Sequence, residues 1–510
     1  MLFMEEEGED PVARLARERF GVPWLYPLQR LAVANVLDAA ESEEGETGRQ
    51  LVLLPTGAGK SLCFQLPALA LPRPTIVVYP LLALMEDQRR SLARLGIPYA
   101  LFRGGQEEGE RRAAMADLES GRAKLAITNP ESLRSRDLLD FLASLKPSHL
   151  AVDEAHCVSE WGETFRPAYL ELGEIAERLA PRALSAFTAT ASPSVVEALE
   201  RLLFRGEGYR LVSGDPDRPN LSYSVARTLS RNRSLERLCR GLPKPLIVFV
   251  SSRAGAEILA ELLRARLGSE DIRFYHAGLG REEKREVEAW FYGSATGILC
   301  ATSAYGMGVD KRDIRSVVHY EAPASVEAYL QEAGRAGRDG LPSRAVLVAG
   351  RDDGARLGRE ADPGRRARRA ALLAYAAGEG GCRRESLLRL LGAEPRGPCS
   401  GCDRCEGSAE EGFEGGAELA AFARLNSRRF SEKEALDLLL GTRGLEPPLA
   451  AGSGSMEGWR REDAASALRA AAELGLIRLV GKGPWKGKLA GPRRGPRQGV
   501  GPSSRRVPAS

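Results

Sequence analysis

The chain has 510 residues, 43% of them hydrophobic and 28% charged, with a formal net charge of +4, which fits a soluble globular protein of three or four domains. No segment approaches the roughly 18–20 consecutive apolar residues that a membrane span requires, so we expect no membrane partner. The acidic residues 1–10 lack the charged and apolar regions of a secretion signal, so we expect a cytoplasmic, nucleoid-associated protein.

Short apolar runs alternate with helical stretches from Gln50 to Thr190. Continuous apolar strands separated by helices are typical of a parallel sheet covered on both faces. Polar or glycine-rich residues follow each run, and they therefore collect at the carboxyl edge of the sheet, where open α/β folds bind ligands. The predicted strands are residues 51–54, 75–79, 125–128, 150–152 and 184–188.

A second series of strands repeats this layout after a turn-rich linker at residues 213–219. The two series predict two α/β lobes joined by a short hinge. The strands predicted for the second lobe are residues 246–250, 273–275, 298–300, 317–319 and 345–348.

The pattern becomes helical after Arg351, with a predicted helix at residues 365–377 and a helical module at residues 416–489. Within that module, residues 469–480 and 482–489 indicate a helix, a strand and a returning strand, as in a winged helix. Residues 481–510 contain eight Lys or Arg and no Asp or Glu. This Gly/Pro-rich tail is predicted to be disordered. Its positive charge can attract the phosphates of nucleic acid without sequence preference, and a solvated tail with no binding role is the alternative.

Four of the eight cysteines form a C-x16-C-x2-C-x2-C set, namely Cys382, Cys399, Cys402 and Cys405. A structural metal site in a reducing compartment explains this set better than a disulfide framework, which belongs to small secreted proteins. Four thiolates favour a closed tetrahedral Zn²⁺ site, and an iron–sulfur cluster is the chemical alternative.

Residues 51–61 predict a strand, a glycine-rich turn and the start of a helix. Backbone N–H groups of such a turn bind phosphates, Lys60 can reach the β- and γ-oxygens of ATP, and Ser61 can ligate Mg²⁺. We expect Thr56, Gly57 and Gly59 to belong to this nucleotide site. The strict pattern GxxxxGK[ST] fails at its first position because Leu54 replaces glycine.

Two further stretches carry candidate catalytic groups. Asp153 and Glu154 follow an apolar strand. At this position Asp153 can bind Mg²⁺ through its water shell, and Glu154 can polarise the attacking water. An acidic pair on the surface is the alternative. Arg335 and Arg338 are three apart, which predicts one face of a helix. Arg338 is the candidate arginine finger and Arg335 its partner, while a solvated arginine pair is the alternative.

These residues occur within motifs that resemble those of the RecQ-type DNA helicases. The resemblance extends from about Phe20 to the winged-helix candidate. The stretch PTGAGKS resembles the helicase form of the phosphate-binding loop. The residues that carry the resemblance are 60–65 (KSLCFQ), 80–88 (PLLALMEDQ), 155–167 (AHCVSEWGETFRP), 188–191 (TATA), 275–278 (YHAG), 305–311 (YGMGVDK) and 331–340 (QEAGRAGRDG).

The resemblance implies two tandem RecA-like lobes, residues 1–213 and 214–350, a zinc-binding module at 351–410, a winged helix at 411–491 and a basic tail at 492–510. It implies an ATP-dependent helicase that moves 3′ to 5′ and unwinds duplex DNA in repair or recombination. ATP, Mg²⁺ and Zn²⁺ are the implied cofactors. The expected partner is DNA, single-stranded or at duplex junctions, bound by a monomer.

Residues 155–167 resemble the aromatic-rich loop that senses single-stranded DNA in the family. Trp161 and Phe165 can stack on bases, and Arg166 can contact phosphate. Gln29 is expected to read the adenine edge, and Asp310 belongs to a second-lobe motif at the nucleotide.

The chain departs from the family pattern in several positions. Glu160, Glu163 and Thr164 replace the usual Gln and His-Asp of the aromatic-rich loop, and Tyr26 and Ser132 replace arginines. The altered loop keeps open a second function, that of a DNA-binding or annealing factor with a weakened motor. An RNA helicase is a further alternative, and the cysteine set and the loop that carries Trp161 argue against it.

Overall fold

The computed structural model describes residues 10–42, 47–55, 57–158, 167–305, 311–350, 352–378, 381–395, 397–409, 412–442 and 450–492. The chain divides into two compact units. The first comprises Met1–Ser224, Leu242–Leu347 and Leu357–Ser408, and the second Val225–Gly241, Val348–Arg356 and Ala409–Ser510.

A seven-stranded parallel sheet forms the first lobe, with the strand order β3-β4-β2-β5-β6-β1-β7. Its strands are β1 Gly48–Leu53, β2 Thr75–Val78, β3 Tyr99–Leu101, β4 Leu125–Thr128, β5 His149–Val152, β6 Ala183–Thr188 and β7 Arg210–Ser213. Its helices are α1 Pro11–Phe20, α2 Pro27–Glu41, α3 Leu62–Ala70, α4 Leu82–Arg94, α5 Glu108–Glu119, α6 Pro130–Leu133, α7 Arg136–Ser144, α8 Leu172–Leu179 and α9 Pro193–Leu202.

Hydrophobic clusters cover both faces of this sheet. Leu51, Ile76 and Val78 pack into one cluster, and Val52 and Val77, which point to the opposite face, pack into another. Because side chains alternate between the faces of a strand, a sheet buried on both sides requires continuous apolar runs. Each fully buried aliphatic side chain stabilises the fold by roughly 1.5–3 kcal/mol.

A six-stranded sheet forms the second lobe, with the order β10-β11-β9-β12-β13-β8. Its strands are β8 Leu221–Arg227, β9 Leu246–Phe249, β10 Ile272–Tyr275, β11 Ile298–Ala301, β12 Ser316–His319 and β13 Ser343–Ala349. The associated helices are α10 Arg231–Gly241, α11 Arg253–Leu267, α12 Arg281–Gly293 and α13 Val326–Ala333.

Three helices follow the second sheet in the chain: α14 Asp352–Arg359, α15 Pro363–Ala377 and α16 Arg383–Leu390. Cys382 is the N-cap residue of α16, so the first cysteine of the set directly precedes a helix. The other three cysteines lie in the loop that follows this helix.

The second unit contains α17 Gly416–Leu425, α18 Glu432–Leu439 and α19 Arg461–Glu473, followed by the antiparallel strands β14 Arg478–Leu479 and β15 Leu489–Ala490. Leu419, Leu439 and Leu468, one from each helix, are fully buried in a common core. The helix, strand and returning strand expected there are present. The winged-helix assignment stays a prediction.

Among the described residues, no helix is both long and apolar enough to cross a membrane.

All ten strands predicted for the two lobes are present; the start of β1 shifts by three residues and every other end by no more than two. Three further strands, β3, β7 and β8, were not predicted, and each lies at the edge of a sheet. Edge strands are partly exposed, as shown by Leu211 in β7 with 57% exposure. Their apolar runs are therefore shorter or interrupted, and the pattern that identifies a central strand is absent.

The close contact between α8 and α9 provides a test of this packing. A Cβ atom at Gly173 would lie 2.2 Å from the carbonyl oxygen of Leu202. We expect Gly173→Ala to reduce the free energy of unfolding by about 1–3 kcal/mol, because the backbone of one helix must move. Urea titration of the full chain measures this change. Gly208→Ala, where a Cβ would meet no atom within 4 Å, is the matched control, and equal stability of both variants would contradict the packing.

Candidate functional site

The phosphate-binding loop connects β1 to α3 at the carboxyl edge of the first sheet. Gly59 has a φ of +71°, and a Cβ there would lie 2.6 Å from Nε2 of Gln29, so the position requires glycine. The Nζ of Lys60 donates to the carbonyl oxygen of Leu54 at 3.4 Å. The amine predicted to bind phosphate therefore lies against the loop itself.

Gln29 holds this loop against α2. Its Nε2 donates to the carbonyl oxygen of Ala58 at 2.7 Å, and its Oε1 accepts from the backbone N–H of Tyr26 at 2.9 Å. The side chain is buried, whereas that of Tyr26 is 61% exposed. Both polar ends of the Gln29 amide are thus engaged within the protein, and its contact with adenine stays a prediction.

Gln88 belongs to the candidate site, although it was not predicted to do so. Its Nε2 donates to the hydroxyl of Ser61 at 3.3 Å, and its Oε1 accepts from Nε2 of Gln65 at 2.8 Å. This chain of polar groups connects α4 to the end of the phosphate-binding loop and orients the predicted Mg²⁺ ligand Ser61. In the sequence, only its position in the motif at residues 80–88 pointed to Gln88, because a single uncharged amide is not part of any characteristic spacing of catalytic residues.

Asp153 and Glu154 follow β5, two strands from β1 in the sheet. Glu154 has a φ of +47°, a left-handed conformation that costs about 1–3 kcal/mol in a residue with a side chain. Two hydrogen bonds stabilise it: the Glu154 N–H donates to Oδ1 of Asp153 at 2.9 Å, and the Ala155 N–H donates to the Phe187 carbonyl at 2.8 Å. Strain of this kind is concentrated at functional sites.

Asp153 of the acidic pair is buried, and the two carboxylates repel each other. Burial raises the pKa of Asp153, and the adjacent charge of Glu154 raises it further, against the opposing effect of Lys60. The Oε2 atom of Glu154 is buried without a hydrogen bond. A divalent cation would relieve both conditions, so Asp153 and Ser61 fit the predicted Mg²⁺ site.

His156 links the acidic pair to the end of β6. Its Nδ1 lies 2.9 Å from the hydroxyl of Thr188 and 3.5 Å from Oε2 of Glu154. Thr188 donates to the carbonyl oxygen of Thr190 at 3.0 Å, so its oxygen can accept a hydrogen bond from Nδ1–H of His156. The motif at residues 188–191 is thereby connected to the candidate catalytic carboxylate.

Arg335 and Arg338 do not share a helix, and that part of the prediction was wrong. Helix α13 ends at Ala333, and both arginines lie in the succession of turns that follows. Gly337 has a φ of +61°, and a Cβ there would lie 2.4 Å from Nδ2 of Asn220. A left-handed glycine in a crowded position interrupts helical geometry.

The turn nevertheless brings the arginine pair to the phosphate-binding loop. A Cβ at Gly57 would lie 4.0 Å from Cδ of Arg338. Arg335 is 6% exposed, and burial together with the charge of Arg338 lowers its pKa to about 10, partly opposed by Glu332, Tyr305 and Glu154. The buried Arg335 and the half-buried Arg338 of the second lobe therefore lie near the loop and carboxylates of the first, a suitable arrangement for an anion.

Five of the predicted site residues lie outside the described residues: Thr56, Trp161, Phe165, Arg166 and Asp310. The replaced positions Glu160, Glu163 and Thr164 and most of the basic tail also lie outside them. Their roles stay predictions.

The four cysteines of the C-x16-C-x2-C-x2-C set converge. Their sulfur atoms all lie within 4.8 Å of one another, and those of Cys382 and Cys402 are 3.9 Å apart. A tetrahedral zinc site with Zn–S distances of about 2.3 Å has sulfur atoms about 3.8 Å apart, close to this separation. The distances therefore suit four thiolates around one ion.

The four thiols lie close enough to affect one another's protonation. Burial raises the pKa of Cys402, but the backbone N–H of Cys405 and other donors outweigh it and lower the value to about 7. The pKa of Cys399 is raised by burial, and that of Cys405 by the thiols of Cys402 and Cys382. Four adjacent thiols cannot all ionise without positive charge between them, and Zn²⁺ would supply that charge and hold the loop closed.

Comparison with known protein families supports one assignment. Residues 26–199 match the DEAD/DEAH box helicase family and residues 230–340 the helicase conserved C-terminal domain. The chain is 36% identical over 408 residues, or 78% of its length, to the ATP-dependent DNA helicase RecQ of Pasteurella multocida. It is 40% identical over 316 residues, or 60% of its length, to RecQ of Synechocystis and 34% identical over 417 residues, or 75%, to the ATP-dependent DNA helicase Q5 of Mus musculus. The chain belongs to the RecQ family of superfamily 2 helicases.

These RecQ relatives are longer than the matched part. The chain spans 63% of the Pasteurella protein, 65% of the Synechocystis protein and 42% of the mouse protein. Family membership therefore concerns the matched region, and the activity of the whole protein is a separate question.

Solved structures agree on the fold. The DUF1998 helicase MrfA bound to DNA superposes with a TM-score of 0.52 and 23% identity, covering 68% of this chain and 52% of that one. Mss116p bound to single-stranded RNA and AMP-PNP gives 0.54 and 17% identity, covering 76% and 81%. At these identities the likeness shows the two RecA-like lobes alone.

The cysteine site gives a testable consequence. We expect Cys399→Ser to lose stoichiometric zinc and to lower the melting temperature by roughly 10 °C, because the loop loses a ligand that closes it. Metal analysis and thermal unfolding measure both effects. Cys239→Ala removes a thiol outside the set and should keep the metal. Full stability after chelation would contradict a structural role, and bound iron would identify a cluster in place of zinc.

Proposed function

We propose that the chain is an ATP-dependent DNA helicase whose hydrolysis is stimulated by single-stranded DNA and which moves 3′ to 5′ in DNA repair or recombination. One observation carries the proposal: the phosphate-binding loop, the carboxylates Asp153 and Glu154, and the arginine turn of the second lobe meet at one place. The family membership supports DNA as the substrate. The polarity and the pathway are taken from the resemblance.

The groups of the site suit hydrolysis of the γ-phosphate by water. Lys60 and the loop N–H groups would bind the phosphates of ATP, while Ser61 and Asp153 would hold Mg²⁺, which neutralises phosphate charge. Glu154 would orient the water and accept its proton on a carboxylate oxygen as ADP leaves. Arg338, supported by Arg335, would stabilise the charge that develops on the transferred phosphoryl group.

The two arginines belong to a different lobe from the other groups, so hydrolysis would depend on how the lobes close. Glu327 of α13 accepts a hydrogen bond from the N–H of Ser192 at 3.3 Å, next to the motif at residues 188–191. This contact between the lobes supports a coupling of ATP turnover to lobe motion.

DNA binding is proposed from the aromatic-rich loop, with Trp161 and Phe165 stacking on bases and Arg166 contacting phosphate. The cysteine-bearing segment and the winged-helix candidate would bind the duplex. We further propose that the protein acts as a monomer at junctions between single-stranded and duplex DNA.

The nucleotide site is tested by Lys60→Ala, which should reduce ATP hydrolysis in the presence of single-stranded DNA by about 100-fold or more, since the phosphates lose their direct cation. The matched control is Lys124→Ala, whose amine also donates to a backbone carbonyl, that of Leu71 at 2.8 Å, but away from the site. Wild-type hydrolysis by Lys60→Ala would contradict the site.

The substrate is tested with forked duplexes carrying either a 3′ or a 5′ single-stranded tail, in DNA and in RNA. We expect ATP-dependent unwinding of the 3′-tailed DNA duplex and at least about tenfold slower unwinding of the others. Preferential unwinding of RNA would identify an RNA helicase. DNA binding or annealing without stimulated hydrolysis would indicate a weakened motor.

A further inference from the structure

The turn that carries Arg335 and Arg338 is held by an arginine of the linker between the lobes. Nη1 of Arg218 donates to the carbonyl oxygen of Gly334 at 3.2 Å, and its Nη2 donates to those of Ala336 at 3.3 Å and Gly337 at 2.9 Å. These carbonyls flank Arg335 and directly precede Arg338. A planar guanidinium bound to three carbonyls fixes the path of the backbone between them.

This support matters because the turn carries like charges. Arg335 is buried, and the charge of Arg338 acts against its protonation. The same charge also acts on Arg218, whose pKa is lowered chiefly by burial. Like charges brought together out of water repel one another, so their geometry must be imposed by backbone contacts. Arg218 provides these, since its donors meet the negative ends of three peptide dipoles.

A second arginine holds Arg218 in turn. Nη1 of Arg384 donates to the carbonyl oxygen of Arg218 at 3.0 Å and also bonds the carboxylate of Asp217, while its Nη2 bonds the carbonyl oxygen of Leu221. Arg384 is only 4% exposed and lies two residues after Cys382. The cysteine-bearing segment is thus connected through the linker to the arginine turn by direct hydrogen bonds.

We propose that Arg218 is a positioning residue for ATP hydrolysis and that it aligns Arg335 and Arg338. In this proposal Arg384 connects the cysteine-bearing segment to Arg218, so that the position of Arg218 depends on the folding of that segment. This inference rests on the proposed function, because it requires Arg338 to act on the γ-phosphate. Arg218 itself has no described contact with the phosphate-binding loop, so its effect is on the rate of hydrolysis and not on ATP binding.

The test compares steady-state ATP hydrolysis of full-length variants in saturating single-stranded DNA. We expect Arg218→Ala to lower kcat by about tenfold and to leave the KM for ATP within about twofold. Arg264→Ala is the matched control, because Arg264 is similarly half-buried in the second lobe and donates to one carbonyl, that of Ile272 at 2.8 Å. It should keep both constants, and thermal unfolding should show similar stability for both variants.

The conservative variant Arg218→Lys separates positioning from folding. A lysine keeps the charge but lacks the fork that spans three carbonyls, so we expect an intermediate kcat at wild-type stability. Wild-type kcat in both Arg218 variants, or a loss confined to KM, would overturn the inference.

A double-mutant cycle with Arg338→Ala identifies the pathway of the effect, with single-turnover hydrolysis at excess enzyme to measure low rates. If Arg218 acts through Arg338, removing it slows hydrolysis in the wild-type background and has little effect in Arg338→Ala. Equal slowing in both backgrounds would overturn the inference. Arg384→Lys should lower kcat in the same way, with little further loss in Arg218→Ala.

Failure of the inference and failure of the proposed function give different results. Slow hydrolysis by Arg338→Ala together with wild-type hydrolysis by Arg218→Ala would overturn the role of Arg218 alone. Wild-type hydrolysis by Arg338→Ala would overturn the arginine finger, and the positioning role with it.

Discussion

Parallel pairing of three neighbouring strands in the first sheet determines where most of the candidate catalytic groups lie. Leu53 of β1 pairs with Thr188 of β6, and Val152 of β5 pairs with Ala186, so the three strands end at nearly the same level. The phosphate-binding loop, the acidic pair and the motif at residues 188–191 begin directly after these ends. The burial of apolar side chains on both faces fixes the strands in register, and the polar groups are placed as a result.

The two candidate sites are built from groups that repel one another when they are charged and that the fold holds close together. Asp153 and Glu154 concentrate negative charge, Arg335, Arg338 and Arg218 concentrate positive charge, and the four cysteines place thiols in contact. Each cluster places groups that repel one another when charged close together, and a partner of opposite charge would relieve this repulsion: a divalent cation, a phosphate or a metal ion. Such preorganisation gives binding and transition-state stabilisation without rearrangement of solvent.

The central strands and the groups that follow them could be predicted from the sequence, because a buried strand requires a continuous apolar run and its carboxyl end is then known. The edge strands β3, β7 and β8 could not, because β3 has only three residues and polar residues lie within or at the ends of β7 and β8, so none has a long apolar run. The helix expected for Arg335 and Arg338 was wrong because Gly337 adopts a left-handed conformation in a crowded position. The roles of Gln88 and Arg218 depend on contacts between distant segments, which no local spacing records.

The cysteine loop also covers an edge of the second sheet. Tyr223 in the edge strand β8 forms a parallel bridge with Cys402, and its carbonyl oxygen accepts from the N–H of Asp403 at 3.0 Å. During synthesis this strand emerges long before the cysteines, so the nascent second lobe carries an uncapped strand until the loop arrives. The metal expected at the cysteine set would then hold that loop closed. Exposed strand edges promote association between chains. A shortage of metal while the protein is being made would therefore appear first as aggregation of new chains.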